Sequence, residues 1–552
     1  MLRPVVFAAS AAIACIIQAA DAADWLQFGF DPAHSGRNPD ETQLGAANVS
    51  NLRLRYSVAL PGTAPGAPVL LGSVPLAGGV RDVLYLTLEN GTLLALDAAT
   101  GATLWSRYPA SSNACALPTA DDQCTTASSP AIDPNRQFVY GYALDGFVHK
   151  YTVADGTEIT TGGWPQLATL KPELEQVSSA LAIATARNGN SYLYVVHSGP
   201  AWLPDDSGDY QGHVTAINLG TGTQVVFNAV CSDAGNVHFV KNDPNPPITQ
   251  TPDCPQQQMN APNDPGPMPT GDAGIWGRAG VTYDAGTDRI FLSTGNGVYD
   301  ANNGGHNWSD SVIALPAALD AAMTQPADSY TPVNYVNLMY YDLDLGSTSI
   351  TIVPAPPGSM LPNIGAQSGK DGNVRLLDLN DLSGMRQPGY TGGELYVGSV
   401  PQGNEVKTQP LVWIDPNNGL SMLIIVNAFG VSASQVTTNA QRHFPALIQS
   451  GSPNWINTGT QVYGSATSAG GTSPVLVDGV LYYAGSSGVT ALDPRTGATL
   501  WNDASMGAAD ATTPSSFRKQ SVIVANNRLF IADNHGTLWV YQGDAVFANG
   551  FE

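Results

Sequence analysis

Residues 83–105 read VLYLTLENGTLLALDAATGATLW, and residues 480–501 read VLYYAGSSGVTALDPRTGATLW. Each gives a strand, a tight turn, a second strand, an Asp…Thr-Gly turn, and a third strand that ends in Trp105 or Trp501. The turn glycines tolerate φ > 0, and an Asp at the turn start hydrogen-bonds its own backbone. Two copies of A-L-D-x-x-T-G-A-T-L-W are too specific for chance. Weaker copies lie between and after them: YTVADGTEI at 151–159, AINLGTGTQVVF at 216–227, segments at 311–315, 374–384 and 426–436, and LFIADNHGTLWVYQ at 529–542. Ala95, Tyr151, Ala216, Ala314, Leu377, Ser432, Ala491 and Tyr541 anchor the eight units, mostly at intervals of about 50 to 65 residues. The longest gap holds a Pro-rich insert, residues 241–272. Eight such units predict an all-β chain: an eight-bladed β-propeller of four-stranded antiparallel blades. Two stacked β-sandwiches are the alternative. They explain a constant repeat without a domain linker less well. The Trp of the repeat reads first as packing between blades.

The composition agrees. The 552 residues include 58 Gly and 40 Pro, and only 12% are charged. That is too rich in turn formers for a helical protein. Formal net charge is −23, which disfavours nucleic acid and anionic membranes as partners. The start of the chain reads as a secretory signal: Arg3, an apolar run at 5–17, and Ala20-Asp21-Ala22 as the cleavage site. The run is too short to span a bilayer, and no later stretch reads as transmembrane. Ala12-Ile13-Ala14-Cys15 is loosely lipobox-like and leaves lipoprotein processing as the alternative. The expected organisation is a signal peptide at 1–22, a propeller at 23–542 and a tail at 543–552, with a periplasmic or secreted location. Four cysteines remain after cleavage, Cys115, Cys124, Cys231 and Cys254. An even count in an exported chain suggests two disulfides, and proximity favours Cys115–Cys124 and Cys231–Cys254. No C-x-x-C or C-x-x-C-H segment exists, which argues against thiolate zinc sites and covalent haem.

The stretch 274–315, GIWGRAGVTYDAGTDRIFLSTGNGVYDANNGGHNWSDSVIAL, combines strands at 279–283, 289–293 and 311–315 with a Trp before the first and an Asn after the second. Aromatic and amide groups at strand ends beside a long loop suit a site.

The repeat A-L-D-x-x-T-G-x-x-x-W resembles the blade motif of the pyrroloquinoline quinone (PQQ) family, the quinoprotein alcohol dehydrogenases, over nearly the whole mature chain. Non-catalytic propellers share that motif. More specific are Gly274-Ile275-Trp276-Gly277-Arg278, similar to the segment whose Trp forms the floor under the cofactor ring, and Thr294-Gly295-Asn296, similar to the T-G-N whose Asn coordinates the metal. Tyr341-Asp342-Leu343-Asp344-Leu345 resembles the D-x-D region, in which the first Asp is the catalytic base and the second marks lanthanide-using members. Gly369-Lys370-Asp371-Gly372 resembles the segment whose cation contacts the quinone oxygens. The resemblance thus implies PQQ with Ca²⁺ or a lanthanide, Asp342 and Lys370 as catalytic residues, and Asn296, Asp342 and Asp344 on the metal. Trp276, Lys370, Ser198 and Gly199 would contact the cofactor.

These residue types suit the chemistry. A flat quinone stacks on an aromatic face, here Trp276. A hard cation held by oxygen donors polarises its carbonyl. Asp342 would take the alcohol proton, and Lys370 would stabilise charge on the reducing ring. Each residue also has a plain structural reading, as an inter-blade Trp, a turn Asn, loop carboxylates and a turn Lys.

The chain departs from the pattern in places. The family's metal-binding Glu is not evident; His197-Ser198-Gly199-Pro200-Ala201 and an insertion at 202–211 stand there, with Asp205, Asp206 or Asp209 as substitutes. The vicinal disulfide is absent, and Phe517-Arg518-Lys519-Gln520-Ser521 replaces the usual stretch before the last blade. Two functions follow as expectations. One is a PQQ-dependent dehydrogenase of a small-molecule or polymeric alcohol. It would pass electrons to a separate periplasmic acceptor, a cytochrome c or a quinone, and lean toward polyvinyl-alcohol-dehydrogenase-like members. The other is a non-catalytic cell-envelope scaffold or binding module. Convergence of Trp276, Asn296, Asp342 and Lys370 on one mouth of the propeller separates the two. Mapping of non-reduced peptides should return Cys115–Cys124 and Cys231–Cys254; cross-paired peptides or four free thiols would contradict the pairing.

Overall fold

Each anchor of the repeat falls on the third strand of a sheet, and there are eight sheets. The computed structural model describes residues 24–109, 124–199, 210–239, 273–458, 471–485, 488–503, 520–533 and 535–543. The expected leader, Cys115, Cys254, Asp205, Asp206, Asp209 and nearly all of the tail lie outside these. Residues 69–107, 131–167, 182–228, 282–330, 351–399, 411–457 and 475–502 form seven antiparallel blades in chain order. The eighth takes three strands from the end of the chain, Ile523–Ala525, Arg528–Ala532 and Thr537–Gln542, and a fourth, Arg53–Ala59, from its beginning. The chain is an eight-bladed β-propeller.

The turn chemistry explains the repeat. In the first blade, Asp97 Oδ1 accepts the Ala99 N–H at 2.8 Å, and the Gly101 N–H donates to the Asp97 carbonyl at 2.7 Å. Gly101 sits at φ +75, and a Cβ there would lie 2.7 Å from the Tyr56 ring of the closing strand. Trp105 lies midway along the fourth strand, Thr103–Arg107, and packs into the next blade. Its Nε1 donates to the Val153 carbonyl at 3.2 Å, and Gly156 leaves the space its indole fills. Trp501 meets Tyr541 of the following blade edge to face, with ring centroids 5.3 Å apart. The repeat Trp is therefore an inter-blade residue.

The leading residues of the innermost strands are linked from blade to blade. Ser129 Oγ accepts the Ala67 N–H at 2.6 Å, and its carbonyl accepts the Leu181 N–H at 3.1 Å. Ala180 N–H donates to the Arg278 carbonyl at 3.1 Å, and Ser349 Oγ to the Gly280 carbonyl at 3.0 Å. Gln409 bonds Thr351 on one side and Ser473 on the other, and Ser473 pairs with Ser521. This belt pairs the buried polar groups that converge near the axis.

One end of the axial channel is crossed by the chain itself. Trp25 pairs with Leu70, the Gln27 amide makes two bonds to the Ile183 backbone, and His34 Nε2 lies 2.8 Å from the Val281 carbonyl. Gly36 accepts the Leu476 N–H at 2.7 Å, and the Asn38 amide reaches the Val524 carbonyl at 2.9 Å. The Leu26 carbonyl also accepts the Ile132 N–H at 2.8 Å, so this strap is bonded to blades one, two, three, four, seven and eight. Phe28 holds it centrally, its ring 4.5 Å below the wholly buried Arg278 guanidinium. Burial lowers that guanidinium to about 9.

One expected element starts later than the sequence suggests. The strand read from residue 279 begins at Thr282, because the Gly280 N–H closes a turn onto the Gly277 carbonyl at 2.8 Å. Among the described residues no helix is long and apolar enough to cross a membrane. The seam between first and last strands shares its core with blades one and seven, through Leu84, Leu94, Tyr482, Phe530 and Leu538. Leu538 is 0% exposed, so Leu538→Ala should cost about 2–5 kcal/mol in urea unfolding. A loss near zero would show that the seam is not closed in solution.

Candidate functional site

The site residues come from four chain segments at one end of blades four and five. Trp276 precedes the first strand of blade four, Thr282–Asp284, and Asn296 follows the second, Arg289–Ser293. Asp342 and Asp344 lie in the connection from blade four to blade five. Lys370 follows the second strand of blade five, Asn363–Ser368. The strap touches blade four beyond the Trp276 segment, at Val281 and, on the first strand, at Tyr283, so the site is at the opposite mouth.

Backbone pairing brings the first two segments together. The Gly295 N–H donates to the Gly274 carbonyl, and the Ala273 N–H to the Asn296 carbonyl, both at 2.9 Å. Glycine is required at 295 for lack of room: a Cβ there would lie 2.6 Å from Asp344 Oδ1 and 3.2 Å from Trp276 Nε1.

The connection to blade five is built around a short helix, Tyr335–Tyr340. The helix closes with a 6→1 bond, from the Leu343 N–H to the Leu338 carbonyl at 2.8 Å. This is a Schellman-type end, which needs a left-handed residue just past the helix and usually takes glycine there. Here it takes Asp342, at φ 52. Buried Leu338 and Leu345, with Leu343 against them, hold the turn onto the core. The two aspartates are therefore not on a regular strand, whose alternation would send them to opposite faces. Both reach the same ammonium.

Asp344 is the hub. Its Oδ1 accepts the Asn296 N–H at 2.7 Å, its Oδ2 pairs with Lys370 Nζ, and its carbonyl accepts the Lys370 N–H at 3.1 Å. Asp342 Oδ1 takes Lys370 Nζ at 2.7 Å and Asn296 Nδ2 at 3.1 Å. Lys370 Nζ also stands 5.2 Å from the centroid of the Trp276 ring. Trp276, Asn296, Asp342, Asp344 and Lys370 thus form one cluster. The Asp342 side chain is 64% exposed and the Lys370 side chain 14%, so the carboxylate faces the mouth and the ammonium lies beneath it.

The charges are strongly coupled. Partial desolvation, and then the Asp344 carboxylate, push Asp342 above the ordinary carboxylate range, while Lys370 pulls it back. Burial alone would lower Lys370, but Asp344 and Asp342 outweigh it and hold the ammonium well above the usual lysine range. Asp310, which sequence reasoning missed, completes the acidic set. It is 2% exposed, and burial together with the Asp344 charge raises it well above a normal carboxylate. In the sequence it reads as a turn residue between Ser309 and Ser311. Only the fold shows it beneath Asp344.

Ser198 and Gly199 stand one step behind this cluster. A Cβ on Gly274 would lie 3.1 Å from Ser198 Cβ, and Tyr210 packs against both Gly199 and Gly274. His197 and His213 are buried behind them, rings stacked at 4.3 Å.

The donor set is oxygen only. Asn296 Oδ1 is buried without a hydrogen-bond partner among the described residues, and two carboxylates lie beside it. Such donors fit a hard cation. No group of three His, Cys, Asp or Glu side chains among the described residues is arranged to hold a metal, so a cation here depends on the Asn296 amide. The Trp276 ring, with the Lys370 ammonium over it, fits a flat anionic ring system.

Several solved structures share the fold. A europium-containing methanol dehydrogenase aligns with TM-score 0.56 and 15% identity, over 95% of this chain and 98% of its own. The quinohemoprotein alcohol dehydrogenase of Comamonas testosteroni aligns with TM-score 0.55 and 16% identity, over 96% and 82%. The quinohemoprotein alcohol dehydrogenase ADHIIG of Pseudomonas putida HK5 aligns with TM-score 0.57 and 14% identity, over 97% and 82%. At such identities the likeness is one of fold. No curated protein matches the chain in sequence. Residues 424–548 match the family of the outer membrane protein assembly factor BamB. Residues 25–319, more than half of the chain, match the PQQ family described as the glucose/ethanol/alcohol dehydrogenase β-propeller domain. The chain therefore belongs to the PQQ β-propeller family of the glucose, ethanol and alcohol dehydrogenases.

Proposed function

We propose that this protein is an exported quinoprotein dehydrogenase that oxidises an alcohol or polyol with PQQ and a bound Ca²⁺ or lanthanide ion. Electrons would pass to a separate acceptor, a periplasmic cytochrome c or a quinone. The observation that carries the reading is the meeting of Trp276, Asn296, Asp342, Asp344 and Lys370 at one mouth of the propeller. A scaffold has no need of that convergence.

When bound, a quinone of this class supplies the two-electron acceptor, and a hard cation supplies the Lewis acid that polarises it. The remaining work falls to the chain. Trp276 offers a face on which a planar ring stacks. Asn296 Oδ1, Asp342 and Asp344 offer the oxygens that would hold the cation. Asp342, exposed at the mouth and aimed by its left-handed turn, takes the alcohol proton onto a carboxylate oxygen. Lys370 holds both carboxylates in place, and offers an ammonium to negative charge that develops on the ring.

The alternative is a non-catalytic scaffold of the cell envelope. It rests on the match of residues 424–548 to the assembly-factor family, whose part of the ring lies away from the cluster.

Reconstitution with PQQ and either Ca²⁺ or La³⁺ should change the absorbance of the quinone and support dye-linked alcohol oxidation. Absence of PQQ binding with both ions would leave the scaffold reading. Asp342→Asn should keep quinone binding and lower turnover by about 10²–10⁴-fold, the usual contribution of a general base. Asp344→Ala should weaken La³⁺-supported turnover more than Ca²⁺-supported turnover, because the extra carboxylate matters most to the trivalent ion. Equal loss with both ions would make Asp344 a structural residue.

A further inference from the structure

Asp310 is a buried carboxylate that the proposed chemistry does not use, and it ties together the two arms of the cluster. It stands at φ 45, left-handed, just before the third strand of blade four, Val312–Pro316. Its N–H donates to the Gly295 carbonyl at 2.9 Å, and its Oδ1 accepts the Leu345 N–H at 3.1 Å. Gly295 precedes Asn296, and Leu345 follows Asp344. One residue thus fixes the amide arm through its backbone and the carboxylate arm through its side chain. The arms lie in close contact: a Cβ on Gly346 would be 2.6 Å from the Gly295 nitrogen.

The Leu345 N–H needs this acceptor. It opens a one-turn 3₁₀ segment, Leu345–Ser347, whose first donors have no partner within the turn. No side chain of the segment caps it. With Asp310 removed, a buried N–H loses its bond, and the turn that sets Asp344 loses its tie to Gly295. Asp344 in turn orients Asn296 and Lys370, so a local change at Asp310 is transmitted to the whole cluster.

We infer that Asp310 is a positioning residue of the site, holding Asp344 at the spacing from Asn296 that cation binding requires. Its consequence for the cation rests on the quinoprotein reading, whereas the hydrogen bond to Leu345 does not. Two measurements keep these apart. In the protein without added cofactor, hydrogen exchange followed on a peptide covering 338–347 should be faster by about tenfold or more in Asp310→Ala and close to wild type in Asp310→Asn, whose Oδ1 can accept the same N–H. In titrations with PQQ and La³⁺ read by quinone absorbance, Asp310→Ala should bind about tenfold more weakly or worse, and Asp310→Asn within about threefold of wild type. If Asp310→Ala does not fold, Asp310→Ser, with a hydroxyl too short to reach Leu345, takes its place. Wild-type exchange or wild-type affinity in the Ala variant would overturn the inference. So would equal losses in Asn and Ala, which would make the charge and not the hydrogen bond the active feature. If wild type binds no PQQ with either ion, the quinoprotein reading fails, while the exchange comparison still decides whether Asp310 holds the segment.

Discussion

The architecture depends on one pairing, between Arg53–Ala59 near the start of the chain and Thr537–Gln542 near its end. A propeller is a ring of sheets, each of which buries its faces only against its neighbours. Open the ring and two blades expose apolar faces together. The chain closes it by giving the last blade a strand that precedes the first blade. The joint is thus made of backbone hydrogen bonds, which do not slip as a side-chain seam could, and the outer edge of the last blade is covered. The core beneath that joint is continuous with blades one and seven, so the closure is cooperative with the packing around it.

Closure leaves two mouths, and they are used differently. The strap 24–41 crosses one, bonded to six blades and centred on Phe28 beneath Arg278. The other gathers the ends of the second strands and the connections between blades. Loops at such a rim are free to carry polar groups because the sheets already satisfy the fold. The acidic and amide residues of the site stand on these loops, and the bulk of each blade remains apolar.

At the site, one ammonium answers several carboxylates. Asp344 is buried and would be costly to leave unpaired. Lys370, Asn296 and the connection itself compensate it. Asp342 is open to solvent and held in a backbone conformation that glycine would adopt more easily. A non-glycine residue in that conformation is a modest local strain, sustained by the leucines that fasten the turn. The strain aims a carboxylate at the mouth, consistent with a group that has to meet a ligand.

Much of this was legible in the sequence, and the limit has a physical origin. The repeat, its turns and the blade count follow from interactions spanning a handful of residues. Asp97 bonds its own turn, Gly101 takes a conformation few side chains allow, and strands alternate by pleat, so a local reading recovers them. The site candidates were legible only as motifs, one segment at a time. Their convergence joins residues 46 and 48 positions apart, Asn296 to Asp342 and to Asp344, and it exists only because adjacent blades are held in register by the closed ring. The left-handed turn at Asp342 and the carboxylate of Asp310 beneath Asp344 were not legible at all. The first depends on leucines beside it that dock on the core, and the second on backbone groups of Gly295 and Leu345 that only the fold brings to it. Local chemistry therefore determined the blade, and the ring decided which loop residues meet.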